Sequence, residues 1–392
     1  MFINRTLNLD IVLERKSVFL FGPRQTGKST LLKEIYKDAF YIDLNRRSLF
    51  QEYSRNLNLF IERVTYVYKH EEKRLVVIDE VQKLPDLLNE VHILIEEYKD
   101  LRFILTGSSA RKLKRSDANL LGGRASWFIL HPFTYREIGK VEYEKNFLRI
   151  INHGKLPSIY FSKNPWEDLK DYVGLYLEGE IKSELANRSL SGFTSFFDKV
   201  ALTNAEQINF TKLGDDIQVG ARKVKEYYQI LEDTMIGSLL PAFTKTKKRK
   251  AMASAKFYLF DTGLTNCLLN QESVSAKTKD FGNLLEQLVY TELKAFCDYN
   301  KMKDNLFYWR STSQMEVDFL LKTSKGEWIG IEVKSTNNPS RSDEKGLLAL
   351  AEDITLSKKI IVCMGNSPKV TDSGVMVLPV FDFLAKLWES SL

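Results

Sequence analysis

The chain is poor in the residues that build staples and metal cages. Its three cysteines, Cys267, Cys297 and Cys363, lie far apart with no Cys-x-x-Cys pair, and an odd count argues against a disulfide framework. Its four histidines, His70, His92, His131 and His153, stand singly, so neither zinc-ligand spacing nor a His-Glu-x-x-His pattern occurs. No apolar run reaches the roughly 18 residues that cross a bilayer. The opening MFINRTLNLDIVLERK holds acidic side chains and no apolar core, unlike a secretory signal. Repeats and low-complexity tracts are lacking too. Neither charge dominates: 57 Lys+Arg against 51 Asp+Glu is a mild basic excess that suits an anionic partner without demanding one. With 44% hydrophobic residues the chain can fill real cores, and 392 residues call for two or three domains. These observations exclude a secreted, membrane or disordered protein, and the expected location is the cytosol.

What the chain does have is ordered along its length. In residues 1–140, the short apolar runs SVFLFG, AFYIDL, RLVVID and RFILTG alternate with helical patterns such as KSTLLKEIY and LLNEVHILIEEY. Runs of that kind read as strands buried on both faces of a parallel sheet, in a βαβ succession. Residues 141–200 read as a helical linker or lid. Residues 201–270 read as helix, turn, helix and two-stranded hairpin, which is the layout of a winged helix. After the polar stretch NQESVSAKTKD come a helix, FGNLLEQLVYTELKAF, and five strands, LFYWR, EVDFLL, WIGIEVK, KKIIVCM and GVMVLPV, in residues 271–392.

Gly22, Pro23, Arg24, Gln25, Thr26, Gly27, Lys28 and Ser29 fit G-x-x-x-x-G-K-[ST] without a gap, between an apolar strand and a helix. The glycines let backbone N–H groups close around phosphate oxygens at a helix N-terminus. Lys28 is placed for the β/γ-phosphates and Ser29 for Mg²⁺, with Thr30 beside it. The run Leu75-Val76-Val77-Ile78 ends in Asp79 and Glu80. A buried strand carries both acids to the carboxyl edge of the sheet, Asp79 to anchor Mg²⁺ and Glu80 to orient or deprotonate water. Thr106, Ser108 and Ser109 end the next strand, where a hydroxyl can contact the γ-phosphate, and Arg124 follows two glycines as a candidate for offsetting transition-state charge, from its own or a neighbouring chain. A plain β-turn and a solvated arginine are the competing readings.

The segments GPRQTGKST (22–30), VVIDEVQKLPDLL (76–88), FILTGSSARKL (103–113), LLGGRA (120–125) and HPFTYREI (131–138) resemble those of AAA-superfamily ATPases. The nearest group is bacterial and archaeal, with a C-terminal half catalogued as a domain of unknown function. The resemblance implies ATP hydrolysis coupled to a C-terminal effector. One departure stands out: many such ATPases have an asparagine at the third strand end, where this chain has Thr106 and Ser108.

In the C-terminal strands, alternation puts Glu316 and Asp318 on one face, opposite Val317, Phe319 and Leu321, and Glu332 and Lys334 opposite Ile329, Ile331 and Val333. A turn centred on Lys325 pairs Asp318 with Glu332, their Cβ atoms about 4.5–5.5 Å apart. Two carboxylates so close need a cation, and a divalent ion with oxygen ligands supplies it. Lys334 then orients water or stabilises charge on a scissile phosphate. The set resembles the restriction-endonuclease-like fold, whose motif is an acid followed by a strand with Asp/Glu-x-Lys; Glu286, on the preceding helix, is the candidate for the upstream acid that fold adds. An ordinary charged face and an inactive nuclease relic are the competing readings. Arg222, Lys223 and Lys225 on the second helix, with Lys247, Lys248, Arg249 and Lys250 in the hairpin loop, are candidates for phosphate contacts with DNA, and protein docking is their rival.

The expected protein is therefore α/β throughout: an N-terminal P-loop ATPase with a parallel sheet (1–140), a helical linker (141–200), a winged helix (201–270) and an α/β restriction-endonuclease-like domain (271–392). ATP and Mg²⁺ are the expected cofactors and DNA the expected partner. No membrane partner is expected, and a homo-oligomer remains open. The alternative is a nucleotide-dependent switch or protein remodeller whose rear domains bind without cutting.

Overall fold

The computed structural model describes residues 2–109, 121–177, 190–276 and 278–392. Residues 110–113 and 120 of the ATPase-like segments, and 178–189 of the expected linker, lie outside them. The chain divides into two compact units. One comprises Asn4–His131 with Asp233–Met235; the other comprises Met1–Ile3, Pro132–Glu232 and Ile236–Leu392.

In the first unit, β1 (Ser17–Phe21), β2 (Phe40–Asp43), β3 (Leu75–Asp79), β4 (Arg102–Gly107) and β5 (Ala125–Ile129) form one sheet in the order β2-β3-β4-β1-β5. Every neighbouring pair is parallel. The central strands β1, β3 and β4 are buried almost throughout, as their unbroken apolar runs require. Strand β5 was not expected from the sequence. It is an edge strand with Phe128 buried and Trp127 exposed, so it lacks the continuous apolar run that marks its neighbours. Helix α1 (Lys28–Ile35) follows β1 directly, and Val64, Leu88, Val91 and Leu94 from later helices close the core over Phe19, Ile78 and Phe103.

In the second unit, short helices at Phe147–His153 and Pro165–Asp171 precede α2 (Phe210–Asp216) and α3 (Ala221–Asp233). Asn209 caps α2, its side chain accepting from the Lys212 N–H. Next, β6 (Gly237–Leu240) pairs antiparallel with β7 (Lys256–Leu259). Tyr227 and Tyr228 of α3 are core residues, packed with Phe193, Phe196 and Phe257.

Helix α4 (Lys279–Tyr299) then leads into β8 (Leu306–Arg310), β9 (Glu316–Lys322), β10 (Trp328–Lys334), β11 (Leu356–Cys363), β12 (Lys369–Val370) and β13 (Met376–Pro379). They form a mixed six-stranded sheet in the order β12-β13-β11-β10-β9-β8. Strands β10, β11 and β13 run parallel, while β8, β9 and β10 form an antiparallel meander. Leu284, Leu288 and Val289 of α4 pack on one face against Phe319, Ile329 and Ile331. The Lys345–Ala351 helix covers the other through Leu347 and Leu350, against Val317, Leu320 and Ile361.

The β9–β10 register pairs Ile331 with Phe319 and Trp328 with Lys322, as a turn centred on Lys325 dictates. Strict alternation along β9 does not hold. Between Phe307↔Leu320 and Trp309↔Val317 the β8–β9 ladder shifts, one residue of β8, Tyr308, facing two of β9, Asp318 and Phe319. This bulge puts Val317 in the core that holds Leu320, away from Phe319 and Leu321. It falls at Asp318, and a bulge re-aims the side chain it carries.

Candidate nucleotide site and a second acidic cluster

The first site follows from the end of β1. Gly22 leaves the strand where any Cβ would lie 2.4 Å from the Leu130 carbonyl oxygen, so no larger residue fits. Gly27 takes φ +89° immediately before α1, a left-handed turn that glycine adopts freely. The loop so formed wraps the side chain of Lys28. Its Nζ donates to the Gly22 carbonyl at 2.8 Å and to the Pro23 carbonyl at 2.9 Å. Thr26 Oγ1 also donates to Pro23 O, at 2.9 Å, and Arg5 Nη1 braces the loop from outside through Thr26 O at 2.7 Å. Burial lowers the Lys28 pKa to about 8 against the opposing pull of Glu80 and Asp79, with Arg24 reinforcing the drop. Within the loop, Arg24 is half-buried and Gln25 exposed at φ +60°, and Thr30 is exposed on the first turn of α1.

Parallel pairing of β2 with β3 and of β1 with β4 brings the strand ends to the same edge as the loop. Ser29 Oγ donates to Asp79 Oδ2 at 2.6 Å, and Tyr41 OH donates to the same oxygen at 2.6 Å. Thr106 Oγ1 donates to Asp79 Oδ1 and accepts from the Glu80 N–H at 3.3 Å. Thr106 thus fixes both acids from the neighbouring strand. Glu80 sits at φ +63°, uncommon for a residue with a side chain. Gln82 Nε2 donates to Glu80 Oε2 at 2.5 Å and to Ser108 Oγ at 3.3 Å. Tyr41 and Gln82 were not expected from sequence. Their only mark was position, Tyr41 near the end of a strand beside the acid-bearing one and Gln82 two residues past Glu80.

Arg124 does not join this site within its own chain. It immediately precedes β5, whose first residue pairs with Ser17, the first of β1. The arginine therefore lies at the amino edge of the sheet, a strand length of about 16 Å from the loop. There its Nε pairs with Glu96 and its Nη1 donates to Gly122 O at 3.3 Å. The parallel direction of β5 is the physical reason, and the ion pair with Glu96 on a part-exposed side chain matches the competing reading of a solvated arginine.

The second site lies where α4, β7, β9 and β10 meet. Lys256, at the start of β7, is 3% exposed. Its Nζ stands 2.6 Å from Glu316 Oε1, 3.0 Å from Glu286 Oε1 and 3.6 Å from Asp318 Oδ1. Burial disfavours its charge, yet Glu286, Tyr258, Asp318 and Glu316 together raise its pKa well above the ordinary value. Tyr258 OH donates to Glu286 Oε1 at 2.6 Å. Burial, then the Asp318 carboxylate, pushes Glu286 up to about 7 against the pull of Lys256. Asp318 Oδ2 accepts from the Val333 N–H at 2.8 Å, which locks β9 to β10 at the step beyond the paired register. Lys334 Nζ donates to Glu332 Oε1 at 2.7 Å, while Glu332 Oε2 is buried and, among the described residues, without a partner. Burial and Asp318 raise the Glu332 pKa well above the carboxylate range, opposed by Lys334. The structure thus assembles Glu286, Asp318, Glu332 and Lys334, and adds Glu316, Lys256 and Arg310, the last 3.2 Å from Glu316. Among the described residues no three His, Cys, Asp or Glu side chains are grouped to hold a metal ion. Sequence reasoning missed Lys256, whose one signal was a lone lysine opening the apolar strand KFYL.

The basic residues divide. Arg222 and Lys225 are exposed on α3, while Lys223 lies 3.4 Å from Glu226. In the loop between β6 and β7, Asp353 Oδ1 accepts from the backbone N–H groups of Lys247 (3.0 Å), Lys248 and Arg249 (3.3 Å). Lys247, Lys248 and Lys250 stay exposed, but Arg249 is spent on Glu352 at 2.9 Å and Asp353 at 3.5 Å.

Three family models match along the chain. Residues 281–383 match a domain of unknown function, DUF4143, and residues 144–275 match another, DUF8612. Two uncharacterized proteins are similar over nearly the whole chain. Rv2008c of Mycobacterium tuberculosis is 25% identical over 376 residues, 94% of this chain and 80% of its own. MJ1637 of Methanocaldococcus jannaschii is 24% identical over 427 residues, 95% of this chain and 85% of its own. A solved Signal Transduction ATPase with Numerous Domains from Pyrococcus horikoshii, with a tetratricopeptide repeat sensor, aligns at TM-score 0.28 and 13% identity, over 78% of this chain and 48% of that one. Among the described residues no helix is long and apolar enough to cross a membrane. Residues 14–139 match the family described as an AAA domain, and with the loop and its two acids in place they support a P-loop ATPase domain of the AAA type.

Proposed function

We propose that the protein binds Mg-ATP in the loop 22–29, hydrolyses it, and uses nucleotide state to control a DNA-directed module in residues 201–392. The observation that carries the first part is the convergence of Ser29 and Thr106 on Asp79, with Glu80 next to it, at the edge where the loop closes. Ser29 and Asp79 offer hard oxygen donors side by side, which fits Mg²⁺. When bound, the ion screens phosphate charge. Lys28 would exchange its two loop carbonyls for β/γ-phosphate oxygens, a stronger charge-assisted pairing. Glu80 would leave Gln82 to orient water and take its proton.

The DNA-directed part is supported by the order helix, turn, helix, hairpin over α2, α3, β6 and β7, a winged-helix layout, and by exposed Arg222, Lys225, Lys247, Lys248 and Lys250. The Asp318, Glu332 and Lys334 set, with Glu286 from α4, supports a restriction-endonuclease-like domain that cuts a phosphodiester with Mg²⁺. The buried, unpartnered Glu332 Oε2 favours that reading, because a free carboxylate oxygen beside Asp318 suits a cation ligand. ATP turnover measured with and without duplex DNA tests the coupling. Stimulation that disappears when Arg222, Lys225, Lys247, Lys248 and Lys250 are reversed in charge supports it. Unchanged turnover and DNA affinity in that variant would favour a switch or remodeller whose rear domains dock protein. Mg²⁺- or Mn²⁺-dependent cleavage that survives Asp318→Ala with Glu332→Ala would remove the nuclease assignment.

A further inference from the structure

We propose that Lys256 is a built-in cation filling the second acidic cluster, and that a divalent ion enters only when its ammonium withdraws. The inference rests on the reading of Asp318 and Glu332 as cation ligands. Four carboxylates, Glu286, Glu316, Asp318 and Glu332, surround this point. Arg310 serves Glu316 and Lys334 serves Glu332, each from the same sheet as its partner. Among the described residues Lys256 alone spans Glu286, Glu316 and Asp318, and it arrives on β7, a strand of the separate two-stranded sheet. The acids are therefore held together by a side chain from outside the six-stranded sheet.

Geometry makes the two cations exclusive. An ammonium holds oxygens at hydrogen-bond distance, here 2.6 Å for Glu316 and 3.0 Å for Glu286, with Asp318 ion-paired at 3.6 Å. A divalent ion draws them to about 2.0–2.6 Å, into the volume that Nζ occupies. The unpartnered Glu332 Oε2, on a side chain 7% exposed that feels the Asp318 and Glu286 carboxylates, is the ligand oxygen Lys256 does not reach. A cleft of about 830 Å³ runs from Phe210 and Lys225 on α2 and α3 to Lys256, Glu286 and Glu316. It gives an ion a way in. The backbone of Lys256 also bridges to Gln207, just before α2, so displacement of the helix pair carries the lysine with it.

The test is Mn²⁺ binding to the full chain without nucleotide, followed by calorimetry and by the loss of the free-ion paramagnetic signal. Lys256→Met should bind one ion more tightly than the wild type by at least about tenfold, and adding Asp318→Asn should abolish that gain. Lys256→Arg should behave as wild type. Should Lys256→Met fail to fold, Lys256→Met with Glu286→Gln removes one charge of each sign and carries the same expectation. Equal Asp318-dependent affinity with and without the lysine would overturn the built-in cation and leave the cation site standing. Absence of any Asp318-dependent Mn²⁺ in all variants would overturn both.

Discussion

Ser29 Oγ donates to Asp79 Oδ2 at 2.6 Å, joining the first turn of the helix after the loop to the end of β3. The two oxygens are adjacent before any ligand arrives, so a magnesium ion would meet a formed pair. Ser29→Ala should weaken Mg-ATP binding on the order of 10- to 100-fold while leaving ATP binding in chelator nearly unchanged. Calorimetry with and without magnesium checks it. Equal losses in both conditions would mean that Ser29 contacts phosphate directly.

The charge of Lys28 sets a pH dependence. Burial holds its pKa near 8 in the free protein, below its ordinary value, and a phosphate partner favours the charged form. Below pH 8 the proton is already in place. Above it, binding must take up a proton, and affinity should fall by up to about tenfold per pH unit. The sign for folding is opposite: a depressed lysine pKa means stability gained as pH rises from about 8 toward the unfolded value. ATP titrations from about pH 7 to pH 10 in two buffers of different ionisation heat would detect the uptake. A flat profile would refute the buried-lysine account.

Glu80 and Gln82 separate binding from turnover. Glu80→Gln should retain ATP affinity and lose on the order of 10²- to 10⁴-fold in kcat. Gln82→Ala frees the Glu80 carboxylate and should change kcat with KM unmoved. Steady-state assays distinguish this from a folding defect, which lowers the active fraction without altering the affinity of what remains.

Glu292 organises the second unit. It accepts from the Tyr135 N–H at 3.1 Å, Tyr143 OH at 3.3 Å and Trp388 Nε1 at 2.8 Å, and pairs with Lys155. Glu292 is 0% exposed, and removing one member of a buried pair strands the other. Glu292→Gln should cost about 3–5 kcal/mol, read from urea unfolding. Lys155→Met with Glu292→Gln should recover part of the loss, because the two sites are coupled.

How much of this was legible in the sequence depends on what each residue needed. The central strands of the first sheet were readable because burial on both faces demands unbroken apolar runs, and the loop because its glycines have no substitute. Strand β5 was hidden by its half-exposed edge. The β9–β10 register as far as Phe319↔Ile331 followed from turn symmetry, but its end before Asp318 and the bulge there did not, since nothing in EVDFLL marks an extra residue. Arg124 looked like a loop arginine near the nucleotide until the direction of β5 placed it at the other edge. Lys256 was least legible of all. Its partners lie 30, 60 and 62 residues away, and no local pattern announces a lysine that reaches acids outside its own two-stranded sheet.

The clasp of Asp353 around the amides of Lys247, Lys248 and Arg249 has an evolutionary corollary. Main-chain groups set the position of that loop, and every residue except proline supplies them. The lysines at 247, 248 and 250 can therefore drift, lose charge or gain it while the loop stays where it is. A lineage could retune what this surface attracts without having to rebuild the scaffold beneath it.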